Sequence, residues 1–220
     1  MKTNTTHHRS GFSSEPGTAH LLLSALAFLA LLLFSSCGAA KLGYFEATPW
    51  IVPATPKSEK QLHVFIENIK DTFMIQCISN AKLHVTGFRE SFKASLKRGF
   101  GGDFTGVVFT DQLVAEGMAL HIHRVEPFSN VDNSQVSESK KNGIFLGVYY
   151  SHVSVRIEGT LYDNGKKLAH AEKIAVSRES QSPISGADER KQIFIDGVTR
   201  SIESLHEALL VQGRVWKAKK

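Results

Sequence analysis

His121-Ile122-His123 is the pattern in this chain with the most chemistry in it. On a β-strand, residues two apart share a side, so both imidazoles point the same way. His152 and His170 fall in two further strand-like segments, and neighbouring strands would add their rings to the same face. Three or four imidazoles on one face can ligate Zn²⁺ or Cu²⁺. The same alternation also describes a solvated sheet face, where histidine serves without a metal. No carboxylate stands beside the pair in sequence to orient the rings. The sequence therefore gives no metal and no cofactor as its reading. His121, His123, His152 and His170 are the residues a metal would take.

Other routes to catalysis are weaker. A serine hydrolase needs a nucleophile, a base and an oxyanion site. The chain has no Gly-x-Ser-x-Gly, and Ser185-Gly186 has no histidine near it in sequence. Gly99-Phe100-Gly101-Gly102-Asp103 lacks the Lys-Ser/Thr that closes a phosphate loop, and it follows a helix instead of opening one. Its expected role is a helix-to-strand turn. Cys77 sits in an apolar run without a basic cluster, which suits a buried, inert thiol. No catalytic residue is assigned, and the chain reads as a non-enzyme.

The remaining cysteine, Cys37, follows a targeting segment. Residues Met1–His20 are polar, with Lys2 and Arg9 against Glu15. Leu21–Phe34 (LLLSALAFLALLLF) is apolar except for Ser24. At about 1.5 Å per residue it spans roughly 21 Å, short of a hydrocarbon core of about 30 Å. A charged start, a short apolar core and a small-residue exit read as a secretory signal. The alternative is a signal-anchor that extends through Ala39-Ala40 and spans the inner membrane while tilted.

Phe34-Ser35-Ser36-Cys37-Gly38 resembles the lipobox of bacterial lipoproteins. Small residues precede the cysteine as they do in that family, while Phe34 stands where an aliphatic residue is usual. The resemblance implies a signal peptide over 1–36, cleavage before Cys37, and acylation of its sulfur and new amine. Gly38 in place of Asp implies the outer membrane. Two or three acyl chains, at about 0.8 kcal/mol per buried CH₂, anchor a domain stably.

The net charge of +5 among 220 residues is small and spread along the chain. Outside the cytoplasm no nucleic-acid partner is expected. The excess reads as a solvated basic surface, or as mild affinity for anionic lipid or peptidoglycan.

Residues 37–60 read as the lipidated Cys and a tether, with Pro49, Pro53 and Pro56 opposing helix. Tyr44, Phe45 and Trp50 within it either pack on the domain, lie at the lipid interface or meet a partner.

Residues 61–213 read as a single α+β domain, and 214–220 as a basic tail. Strands are expected at Leu62–Ile69, at Thr72–Ile78 beside it, at Phe104–Phe109, at Met118–Val125 and within Ile144–Tyr162. Asp163-Asn164-Gly165-Lys166 then predicts a hairpin into Lys167–Val176. Phe88, Phe92 and Leu96 have helical spacing, with Gly99 as the expected left-handed cap. Ser129–Asn142 reads as a polar loop. Ser185-x-x-Asp188 reads as a helix start, and Phe194, Val198, Ile202, Leu205 and Leu209 as one apolar stripe.

A mainly antiparallel sheet with helices packed on one face accounts for this order. Through Phe88–Leu96, Asp163-Asn164-Gly165 and the Phe194–Leu209 stripe, the domain resembles small envelope lipoproteins of the YajG, LPS-assembly-lipoprotein and Lpo-activator kind. The resemblance implies a non-enzymatic accessory protein. It would be joined to the membrane by its lipid and would bind a larger envelope assembly through a sheet edge, the polar loop or the tether aromatics. A periplasmic lipid- or glycan-binding module is the alternative, and a metal-dependent enzyme comes after it.

Overall fold

The computed structural model describes residues 39–53, 57–76, 82–132, 149–181 and 187–212, with the backbone alone at 130–132, 149–152, 178–181 and 211–212. Ser129–Asp132, expected to open the polar loop Ser129–Asn142, is strand instead and pairs with residues 150–153, while Cys37 and the segment before it, Cys77, the rest of that loop, Ser185 and the basic tail lie outside the described residues.

The elements run β1 (Ala40–Leu42), β2 (Leu62–Ile66), β3 (Phe73–Gln76), β4 (Lys82–Val85), α1 (Phe88–Phe100), β5 (Val107–Thr110), β6 (Met118–Asp132), β7 (Tyr149–Asp163), β8 (Lys166–Gln181) and α2 (Ala187–His206). A π-helical turn, Glu207–Gln212, continues α2. The class is α+β, as expected. A five-stranded sheet has the order β5-β2-β6-β7-β8. Its long β6-β7-β8 meander is antiparallel, while β2 lies parallel to both β5 and β6. The expected pairing of the second apolar run with the first does not form. β3 instead joins a separate three-stranded sheet, β1-β4-β3.

Turn chemistry sets the meander. Asn164 (φ 49°) and Gly165 (φ 74°) both take positive φ, as a two-residue hairpin turn of the I′ type requires. Gly117 fixes that turn from outside, because its amide donates to Asn164 Oδ1 at 2.9 Å and its carbonyl accepts from Asn164 N at 2.8 Å. Along β7, Val153, Val155, Ile157 and Leu161 are buried and meet the α2 stripe of Phe194, Val198, Ile202 and Leu205. Each such side chain contributes about 1.5–3 kcal/mol by leaving water. α2 passes directly over β7 at Gly197, where a Cβ would stand at ordinary contact distance, 3.5 Å, from Val153 and Val155.

Residues read as spacer are part of this fold. Ala40–Leu42 pairs in parallel with β4, and Phe45, Ala47 and Pro49 are buried. Phe45 stacks edge-on against Phe194 at 5.7 Å and lies 6.3 Å from Phe88, within a cluster that includes Phe73 and Phe92. Tyr44 and Trp50 point away, 60% and 91% exposed.

Gly99 is not the cap of α1. The helix continues through Phe100 and ends on Gly101 in right-handed conformation. Gly99 is buried where α1 meets Ile202 of α2, Ile51 and Pro49. Where α2 passes into its π-helical turn, His206 Nε2 lies 2.7 Å from Asp103 Oδ2, both side chains sealed from solvent.

Candidate functional site

The face of the five-stranded sheet turned away from α2 carries the histidines. Register decides which ones meet. His121 pairs with Phe65 of β2 and with Thr160 of β7, and Thr160 pairs in turn with His170 of β8. Three adjacent strands thus bring His121, Thr160 and His170 into one row. His123 sits at a β-bulge, because the ladder to β7 shifts between Ile122 and Arg124. A bulge inserts one unpaired residue and re-aims its side chain. The inward alternation of Met118, Leu120 and Ile122 resumes one step late at Val125.

The result is compact. The rings of His121 and His123 have centroids 3.8 Å apart, and His170 follows at 6.0 Å from His123. Nε2 of His123 lies 2.8 Å from Thr160 Oγ1, which lies 2.9 Å from Nδ1 of His170. Phe65 covers the His121 ring at 5.0 Å. Glu158 stands beyond, 3.9 Å from His170 Nε2. His152 is not part of this group. It pairs with Asn130, eight residues along β7 from Thr160. At about 3.4 Å per residue that is roughly 27 Å away. The side chain of His152 lies outside the described residues.

Glu67 was not legible as a member. It follows β2 directly, and its amide donates to the carbonyl of Ile122 at 2.9 Å, between the two histidines. Its Oε2 lies 3.0 Å from His121 Nε2 and 3.8 Å from His123 Nδ1. The carboxylate that sequence spacing did not supply therefore comes from the parallel neighbour. Only the β2–β6 register could have found it.

Burial pulls the His123 imidazole below the usual histidine value of 6.5. The charges of His121 and His170 act in the same direction, while Glu158 and Glu67 oppose it. The neutral ring is therefore favoured, with one nitrogen carrying a lone pair. Chemically, the group can relay hydrogen bonds across three strands and offers nitrogen and carboxylate donors to an ion. Glu67, His121 and His123 each present one donor atom within 4.8 Å of the others.

No known family matches the sequence, and no curated protein does. Solved structures similar to the chain include three bacterial proteins. A Xanthomonas campestris protein of the DUF330 family is 14% identical, with TM-score 0.43 over 76% of this chain and 92% of its own. A minor lipoprotein from Acinetobacter baumannii is 9% identical, with TM-score 0.41 over 70% and 92%. An uncharacterized lipoprotein B from Nitrosomonas europaea is 10% identical, with TM-score 0.43 over 72% and 87%.

Proposed function

We propose that the chain is a lipid-anchored, non-enzymatic accessory protein of the bacterial cell envelope. Cys37 would hold it to the periplasmic side of the outer membrane, where it binds a larger envelope protein. The observation that carries this reading is the run from Leu21 to Gly38: a short apolar core, two small residues, a cysteine and a glycine. Among the described residues, which do not include Leu21–Gly38, no helix is long and apolar enough to cross a membrane.

The fold adds detail to the reading. β1 begins three residues after Cys37. At no more than about 3.6 Å per residue, the anchor has a reach of roughly 11 Å. Exposed Tyr44 and Trp50 then suit the headgroup region, where amphipathic rings settle. β8 is a sixteen-residue edge strand with exposed Ile174 and Val176 on its outer face. An edge of that length suits addition of a partner strand.

A ligand-binding module remains the second reading, with one observation in its favour. An open groove of about 760 Å³ lies between β3 and β6, with Lys70, Arg124 and Arg156 on its walls. The space between sheet and helices is filled by fully buried Leu120, Ile157, Val198 and Leu205, so a ligand would use that groove.

Labelling with a clickable fatty acid tests the anchor. The parent chain takes label and sediments with membranes, whereas Cys37→Ala does neither. Unchanged membrane retention of the variant would support the signal-anchor instead.

A further inference from the structure

We infer that Glu67, His121 and His123 form a binding site for a divalent transition-metal ion of the zinc type, with one coordination position open to solvent. The donor set is two imidazoles and one carboxylate. Three protein ligands of that composition with water in the fourth place are a known solution for Zn²⁺. Donors at about 2.0–2.1 Å on a tetrahedral ion stand roughly 3.3 Å from one another. Two of the donor pairs bracket that figure, at 3.0 Å from Glu67 Oε2 to His121 Nε2 and 3.8 Å to His123 Nδ1. The third pair, between the two histidines, lies within 4.8 Å, and rotation of the imidazoles has to draw it in.

Thr160 supplies the orientation a ligating histidine needs. Its hydroxyl has one proton and two ring nitrogens beside it. When His123 Nε2–H donates to Oγ1, the hydroxyl donates onward to Nδ1 of His170. His123 Nδ1 then keeps its lone pair on the side of Glu67. A metal-bound histidine whose other ring N–H is held in this way is the usual arrangement around a bound ion. His121 would take the ion at Nε2 in place of the proton it shares with Glu67, carrying its own proton on Nδ1.

The framework is rigid where it matters. Glu67 is tied by its amide to Ile122, so acid and histidines keep one register. The side chain of Glu67 is 48% exposed and that of His123 27%, which leaves a path for entry and a free position for water or another donor.

The test uses the full chain, freed of metal by EDTA dialysis and titrated calorimetrically with zinc sulfate. Co²⁺ provides a visible signature of tetrahedral coordination. The parent takes up Zn²⁺ saturably, with one site per chain lost in His121→Ala/His123→Ala. Glu67→Gln keeps the shape of the acid and weakens binding at least tenfold. Thr160→Val weakens it about 10–100-fold, as loss of an orienting partner does. His152→Ala leaves it unchanged. The other histidines are common to the parent and the double histidine variant and set the background. Absence of saturable uptake by the parent would overturn the assignment. So would equal affinity in the double histidine variant with circular dichroism intact.

Discussion

Ser95 Oγ accepts a hydrogen bond from the amide of Ala47 at 3.0 Å, and one helical turn earlier Ser91 Oγ accepts from Phe45 at the same distance. The match is geometric. Four residues of helix rise about 6 Å, and two residues of extended chain cover roughly 6.6 Å. Each hydroxyl donates to a helix carbonyl, Ser91 to Gly87 and Ser95 to Ser91. Two buried serines thereby satisfy main-chain amides that would otherwise leave water unpaired. Ser91→Ala and Ser95→Ala are each expected to cost about 1–3 kcal/mol. Urea denaturation checks this, and unchanged midpoints would mean the segment after Cys37 is not held by these bonds.

Gly99 marks the helix crossing. A Cβ there would lie 2.9 Å from Ile202 Cγ2 and 3.3 Å from Ile51 Cδ1. On an isolated helix Gly→Ala gains up to about 1 kcal/mol. At this crossing overpacking of about 1–3 kcal/mol outweighs that gain. Gly99→Ala is therefore expected to melt below the parent, and a higher melting temperature would contradict the contact.

The histidine face gives a pH prediction. His123 is pulled below 6.5 by burial and by His121 and His170, against Glu158 and Glu67. Well above 6.5 the ring is neutral in folded and unfolded chains alike, and pH has no effect through it. As pH falls below 6.5 the unfolded chain takes the proton first, so stability falls until pH passes the folded value. In an NMR titration the His123 midpoint lies below 6.5. The stability difference between the parent and His123→Gln shifts against the parent over the same window. A midpoint at or above 6.5 would show the ring to be solvated.

Local signals were legible wherever a residue's own conformation or period decided the outcome. Asn164-Gly165 specified its turn, and the Phe194–Leu209 stripe specified the buried face of α2 and its continuation. Long-range register was not legible. Thr72–Ile78 looked like a neighbour of β2 because both runs are apolar, yet the pairing of β3 depends on β4. Alternation at Ala40, Leu42, Phe45, Ala47 and Pro49 was present, but the prolines nearby suggested a spacer. Gly99 offered conformational freedom and smallness together, and tertiary packing uses the smallness. At the site, His121 and His123 were found by spacing and His170 by strand order. Glu67 and Thr160 needed the ladder itself, since neither the parallel pairing of β2 with β6 nor the register of β7 against β6 leaves a trace in local sequence.

The proposed anchoring of this fold rests on the sulfur of Cys37. Intact-mass spectrometry of the protein extracted from membranes addresses it directly. The account predicts a chain that begins at Cys37 and carries the added mass of a diacylglyceryl group, with or without a third acyl chain. A chain that retains Met1, or one with an unmodified thiol at Cys37, would contradict it.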